Sequence, residues 1–282
     1  MASQQLVWFI TGANSGFGLS LAQRVLAHGH IVVATARSLS RFPQALRDQP
    51  NVELIEVRIA GPASAITAAI DGAVVRHGRI DVLVNNAGLD ILGVLEEETI
   101  EQAHYLFDVN FFGLLNFIKA AIPYMRLQNS GVIAQIGSTG GIWVGEGGPL
   151  QFTSKFAVER LSEGLANEVK SLGIRVYIFE PGIFRARFLG AVAEGKSLGE
   201  KKEGYIDIGS VMQSVHVSQQ GDPEEGAQRI YEVVTGTGIG KGMEQELRVP
   251  LGLDAMSMVQ MKTEPAGRMR EMALSTDFLI WS

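Results

Sequence analysis

The opening of the chain constrains its fold more than any other stretch. LVWFIT (Leu6–Thr11) is continuously apolar and rich in β-favouring residues, and glycine stops it. TGANSGFG (Thr11–Gly18) follows, and then LSLAQRVLAHG, where Leu19, Ala22, Val25 and Leu26 recur at helical spacing before Gly29. A buried strand, a glycine turn and an amphipathic helix in direct succession predict the first unit of a layered α/β domain. Gly12, Gly16 and Gly18 let such a turn bend sharply and approach a pyrophosphate, whose charge the helix N-terminus favours. A glycine trio alone is weak evidence, because any tight strand-to-helix turn needs glycine; its place at the head of a βαβ unit makes dinucleotide binding the better reading.

The same alternation continues. HIVVATAR, NVELIEVRI, IDVLVNNAG, SGVIAQIGS and IRVYIFEPG read as strands. Between them lie helical segments at FPQALRDQ, ASAITAAIDGAVVRHG, residues 100–117 and 115–127, whose common border the pattern does not fix, and 151–172. Strands apolar on both faces imply a parallel sheet covered by helices on each side, with ligands beyond the carboxyl ends of the strands. After Pro181 the periodicity loosens, and 185–221 reads as a polar lobe over the site. Asp222 and Pro223 then start another helix, and the tail predicts a last strand, a turn and a helix. With no internal repeat and no linker, the expectation is one α/β domain over residues 1–282.

Composition narrows the partners. The chain has 282 residues, a net charge of −6 and no clustered Lys or Arg, which disfavours nucleic acid and anionic membrane surfaces. It contains no cysteine, which removes thiol nucleophiles, thiolate metal sites and disulfides together. Its five histidines lack metal-ligand spacing, so no metal is expected. No secretory signal or bilayer-spanning run is read in the sequence, and a soluble, cytoplasmic protein is expected.

Several motifs, in order, resemble the short-chain dehydrogenase/reductase family over almost the whole chain. They are the turn Thr11–Gly18, with Asn14 and Phe17 inside it; Asn85, Asn86, Ala87 and Gly88; Asn110 in DVNFFG; Ser138; Lys155; and the pair Pro181 and Gly182. The tail RVPLGLDA is similar to fungal members, a weaker signal. The resemblance implies a Rossmann-type doubly wound sheet, a nicotinamide coenzyme, and a homodimer or homotetramer formed through the helices flanking Ser138. Where an acidic side chain would bind the ribose hydroxyls, the chain has Ala36 and Arg37, which favours NADP(H).

Three positions depart from the family's pattern. Gln151 stands four residues before Lys155, where the resemblance implies a tyrosine that transfers the proton, with Lys155 lowering its pKa and holding the nicotinamide ribose and Ser138 steadying the substrate oxygen. An amide releases no proton near neutral pH; it can stabilise an oxygen but cannot act as a general acid. Arg58 replaces an aspartate that contacts the adenine, and Ala186 a threonine that holds the carboxamide, so the coenzyme is expected to bind weakly. Arg58 can also stack on the adenine face. Asp90 and Glu146 are candidate replacement acids, with Tyr205 more distant, although solvated loop acids are the plainer account of Glu146. Trp143 and Phe184 are read as lining an apolar substrate cavity, with core packing an equal account. The leading expectation is an atypical NADP(H)-dependent reductase of a small metabolite, acting on an imine, iminium or conjugated carbonyl rather than a simple ketone. A non-redox enzyme on the same scaffold (a cyclase, isomerase or dehydratase) is the alternative, and a non-catalytic binding protein the third.

Overall fold

The computed structural model describes residues 5–185, 203–205, 207–210, 213 and 221–263. Seven parallel strands form one sheet: β1 (Val7–Ile10), β2 (Ile31–Ala36), β3 (Val52–Glu56), β4 (Val82–Asn85), β5 (Gly131–Ile136), β6 (Ile174–Pro181) and β7 (Arg248–Leu251). Their order is β3-β2-β1-β4-β5-β6-β7, so the direction of winding reverses between β1 and β4. That reversal opens a crevice above the carboxyl ends of the two strands. Trp8 pairs with Val32 on one side and Val82 on the other, which fixes the register at the centre.

Successive residues of a strand face opposite sides, and here each side meets its own helical layer. Trp8 and Ile10 pack with Leu21 and Val25 of α1 (Gly16–Ala27) and with Ile230 and Tyr231 of α7 (Pro223–Thr235). Val7 and Phe9 pack with Ile66 and Ile70 of α3 (Ala63–His77), Phe117 of α5 (Leu114–Gln128), and Val158 of α6 (Pro149–Val169). Fully burying one such side chain contributes about 1.5–3 kcal/mol, so both faces of the sheet are firmly held. Asp222 caps α7 by accepting from Glu224 N–H at 2.9 Å, with Pro223 in the first turn as expected. Between β2 and β3, the helix read in FPQALRDQ contracts to the short α2 (Gln44–Arg47).

The border that periodicity leaves open around residue 115 is not a break. α4 (Ile100–Phe107) passes through a π-helical turn, Asp108–Gly113, directly into α5. The combined Ile100–Gln128 helix is long and apolar enough to cross a membrane by length and composition, contrary to the sequence reading; in the fold it packs against the sheet, α3 and α6. Its wide turn brings Asn110 inward and seats Gly113 against the segment after β3: a Cβ on Gly113 would strike Ile59 Cγ2 and come within 2.8 Å of Ile59 O. β7 ends the sheet and carries Pro250, which an edge strand tolerates. α8 (Leu253–Thr263) closes the described chain. Ala186 and most of the 185–221 lobe lie outside the described residues.

Candidate active site

Thr11 ties the glycine turn to the far side of the crevice. Its N–H donates to Val84 O at 3.0 Å, and its hydroxyl accepts from the N–H groups of Asn86 and Ala87, each at 3.0 Å. Asn86 Nδ2 donates back to Thr11 O at 2.9 Å and Gly12 O at 3.1 Å. Gly12 and Gly16 hold φ of +65° and +53°, which side chains rarely adopt. A Cβ on Gly18 would strike Asn86 Nδ2 and come within 2.6 Å of Gly12 O, so this crossing admits glycine alone. Gly16 differs, because its missing side chain opens onto empty space beside the N-terminus of α1. A helix N-terminus favours negative charge in such a space.

The turn borders a cleft of roughly 580 Å³. Gly12, Asn14, Gly16 and Phe17 form one wall; Asn86, Ala87, Gly88, Asp90 and Lys155 line it further along. Arg37 and Arg58 also reach it, and so does Arg41, which sequence reasoning missed. Arg41 lies in a 3₁₀ turn after β2, and its spacing from Arg37 in RSLSR was the available signal. All three arginines are exposed, and none joins an ion pair among the described residues. The glycine cradle and the length of the cleft fit a nicotinamide coenzyme.

At the other end, Asn110 clamps the loop after β4 that carries Asp90. Its Oδ1 accepts from Leu89 N–H at 2.9 Å, while its Nδ2 donates to Leu89 O at 2.9 Å and Ser154 Oγ at 3.1 Å. Gln151 is buried in the first turn of α6, and its Nε2 donates to Asp90 Oδ1. The amide oxygen of Gln151 has no hydrogen-bond partner among the described residues. Lys155 Nζ donates to Ile136 O at 3.2 Å. Asp90 keeps some exposed surface, yet its carboxyl is crowded by protein. Burial pushes it above the usual carboxylate range, against the opposing pull of Lys155 and the Gln151 bond. Burial likewise lowers Lys155, against the raising effects of Asp90 and Glu159. Ser138 accepts from Gly140 N–H at 3.0 Å at the head of the loop leading to α6.

Behind this loop lies a buried ionic cluster that sequence reasoning missed. Arg248 Nη1 donates to Glu159 Oε2 at 2.9 Å and to Glu180 Oε1; its Nη2 donates to Glu163 Oε1 at 2.7 Å. Burial pushes Glu159 up to about 7 despite the Arg248 bond, and raises Glu180 as well. Gly141 rests on Glu159, so the cluster supports the Ser138 loop.

Other expected site residues fall elsewhere. Phe184 is a correction: it is buried in the core, 4.7 Å centroid to centroid from Phe17 in an edge-on contact. Its size suits that packing, which the sequence reading had held equal to a pocket role. Phe17 therefore braces the turn from beneath as well as bordering the cleft. Glu146 is an exposed loop acid, Trp143 is exposed on the same loop, and Tyr205 donates to Glu96 Oε2 at 2.8 Å. Pro181 ends β6, and Gly182 N–H donates to Leu251 O at 3.0 Å. Asp254 of the tail accepts from Ile183 N–H, which gives RVPLGLDA a physical task in holding this turn.

Comparison with known proteins agrees with this geometry. A short chain dehydrogenase family model matches residues 6–197, and the chain belongs to that family of oxidoreductases. A 3-ketodihydrosphingosine reductase of Bacteroides thetaiotaomicron is 37% identical over 212 residues, covering 72% of this chain and 73% of that one. Oxidoreductase BOA17 of the fungus Botryotinia fuckeliana is 29% identical over 275 residues, 96% and 95% of the two chains. Among solved structures, a short-chain dehydrogenase from Streptomyces avermitilis superimposes with a TM-score of 0.84 at 32% identity, covering 96% of this chain and 97% of that one. Two neighbours that share the fold at lower identity hold NAD, in a Burkholderia phymatum protein (TM-score 0.80, 21%, 95% and 96% covered), and NADP, in ElxO (0.75, 23%, 90% and 100%).

Proposed function

We propose that the protein is an NADP(H)-dependent reductase of a small, largely apolar metabolite, acting on an imine, iminium or conjugated carbonyl in preference to a simple ketone. What supports this reading is Gln151, which is buried, donates its amide N–H to Asp90 and stands four residues before Lys155, where the resemblance implies a tyrosine. A ketone oxygen needs a proton as the carbon is reduced. An iminium carbon is already electron-poor, and a conjugated alkene takes its proton at carbon. Such substrates tolerate the loss of a phenol four residues before Lys155.

The glycine turn would receive the pyrophosphate, Arg37, Arg41 and Arg58 the 2′-phosphate, and Lys155 the nicotinamide ribose. The bound coenzyme supplies a hydride. Asn110 fixes the Leu89 backbone, and Ser138 steadies the substrate. Exposed Leu127 of α5 and Phe156 of α6 support assembly into a homodimer or homotetramer through these helices.

The test is paired. Fluorescence titrations should give NADPH an affinity at least about tenfold above NADH, and Arg58→Ala should narrow the gap, each charge-assisted hydrogen bond being worth about 1.5–3 kcal/mol before solvent screening reduces it. NADPH consumption is then followed with a cyclic imine, an enone and a simple ketone. Equal affinity for the two coenzymes, or fastest turnover of the ketone, would refute the reading.

A further inference from the structure

We infer that Asp90 is the catalytic acid of this site, delivering its proton to a nitrogen or carbon atom of the substrate, and that Gln151 is its positioning residue. This rests on the reductase reading above and deepens it. Three observations converge. Asp90 lines the cleft together with Lys155, so both face the space where reduction takes place. Its backbone is fixed by the paired Asn110 bonds to Leu89, and its carboxyl by the Gln151 amide. A glutamine side chain is shorter than tyrosine, and the carboxyl bonded to its tip restores the reach.

The amide also chooses the oxygen. By donating to Oδ1, Gln151 makes that atom the acceptor and leaves the acidic hydrogen for Oδ2. Burial favours the protonated carboxyl before reaction, and the ammonium of Lys155 and the amide N–H stabilise the carboxylate left afterwards. Lys155 and Gln151 are the groups that act directly on Asp90; Arg37, Arg41, Arg58 and Tyr105 share the cleft wall.

The step balances as follows. Hydride from the reduced nicotinamide forms a new C–H bond as the substrate's double bond opens. The O–H bond of Asp90 breaks, and its proton goes to the nitrogen of a neutral imine or to the α-carbon of an enone. The carboxylate then recovers one proton from solvent. In sum, substrate, NADPH and H⁺ yield the saturated product and NADP⁺.

The test uses the full chain and two readouts. The first needs no turnover: ¹³C NMR titration of labelled aspartate, with Asp90 assigned by Asp90→Asn. Its midpoint should lie above the usual carboxylate range and rise further in Gln151→Met, which removes a bond that favours the carboxylate. The second is kcat/KM against pH with an enone or imine substrate. The acid form is required, so activity should fall as pH rises through the Asp90 midpoint, and that fall should move to higher pH in Gln151→Met. Asp90→Asn should lose about 10²–10⁴-fold in rate with NADPH affinity within about twofold, and Asp90→Glu should recover part of it. A midpoint in the ordinary range that ignores Gln151→Met, or an Asp90→Asn variant with wild-type rate and pH profile, would overturn the inference. Wild-type protein that reduces none of the substrates, with the shifted midpoint intact, would sink the reductase reading and leave the Asp90–Gln151 couple standing.

Discussion

Replacing Arg248 by methionine removes the counter-charge of the buried cluster while keeping much of the side-chain volume. The Glu159 side chain is 0% exposed and that of Glu180 1%, whereas Arg248 is 28% exposed. Breaking a buried pair from one side costs about 3–5 kcal/mol, and the partial exposure of Arg248 places this case near about 3. For a chain longer than about 250 residues the conversion is about 2 °C per kcal/mol, so Tm should fall by about 5–6 °C near pH 8. The pH dependence is the stronger test. Glu159 is held at about 7 and Glu180 is raised, and losing Arg248 removes an influence that lowers both. A carboxyl raised in the folded state contributes no penalty below its unfolded pKa, and its contribution is lost as pH rises through the folded value. The Tm gap between wild type and Arg248→Met should therefore shrink to less than about half near pH 5.5. Differential scanning calorimetry at both pH values measures it. A gap that is constant or wider in acid, or below about 1 kcal/mol near pH 8, refutes the account of a buried charge cluster.

Two further outcomes follow from the site. Gly18→Ala places a methyl group where Asn86 Nδ2 and Gly12 O already sit, so the variant should stay folded with a lower Tm and lose NADPH affinity by tenfold or more, read by coenzyme fluorescence. Gln151→Tyr restores a phenol beside Lys155 and should raise simple-ketone reduction by about 10-fold or more; no gain in a variant that still binds NADPH would mean that the pocket itself, and not only the proton donor, has changed.

Much of the frame was legible because the central strands are short apolar runs closed by turn residues, as VWFI before Thr11 and Gly12 and VLVN before Asn86. What was not legible depended on distance in sequence. Nothing in the local pattern shows that Gln151 meets Asp90, 61 positions away, or that Arg248 collects carboxylates from α6 and β6. The helix over 100–128 hid its join because a π turn keeps the helical hydrogen bonding while shifting the phase of the apolar stripe. Phe184 misled for a different reason: a large apolar residue beside a turn suits a cavity wall and a core equally, and only its contact with Phe17 separates the two.

The bare contact between Gly113 and Ile59 has a mechanical consequence. The segment bearing Arg58 and the helix bearing Asn110 meet where the Ile59 side chain and carbonyl lie directly against the bare backbone of Gly113. A substitution at 58 or 59 is therefore expected to disturb the Asn110 clamp beneath Asp90 as well as the arginine end of the crevice, like two gears on one shaft.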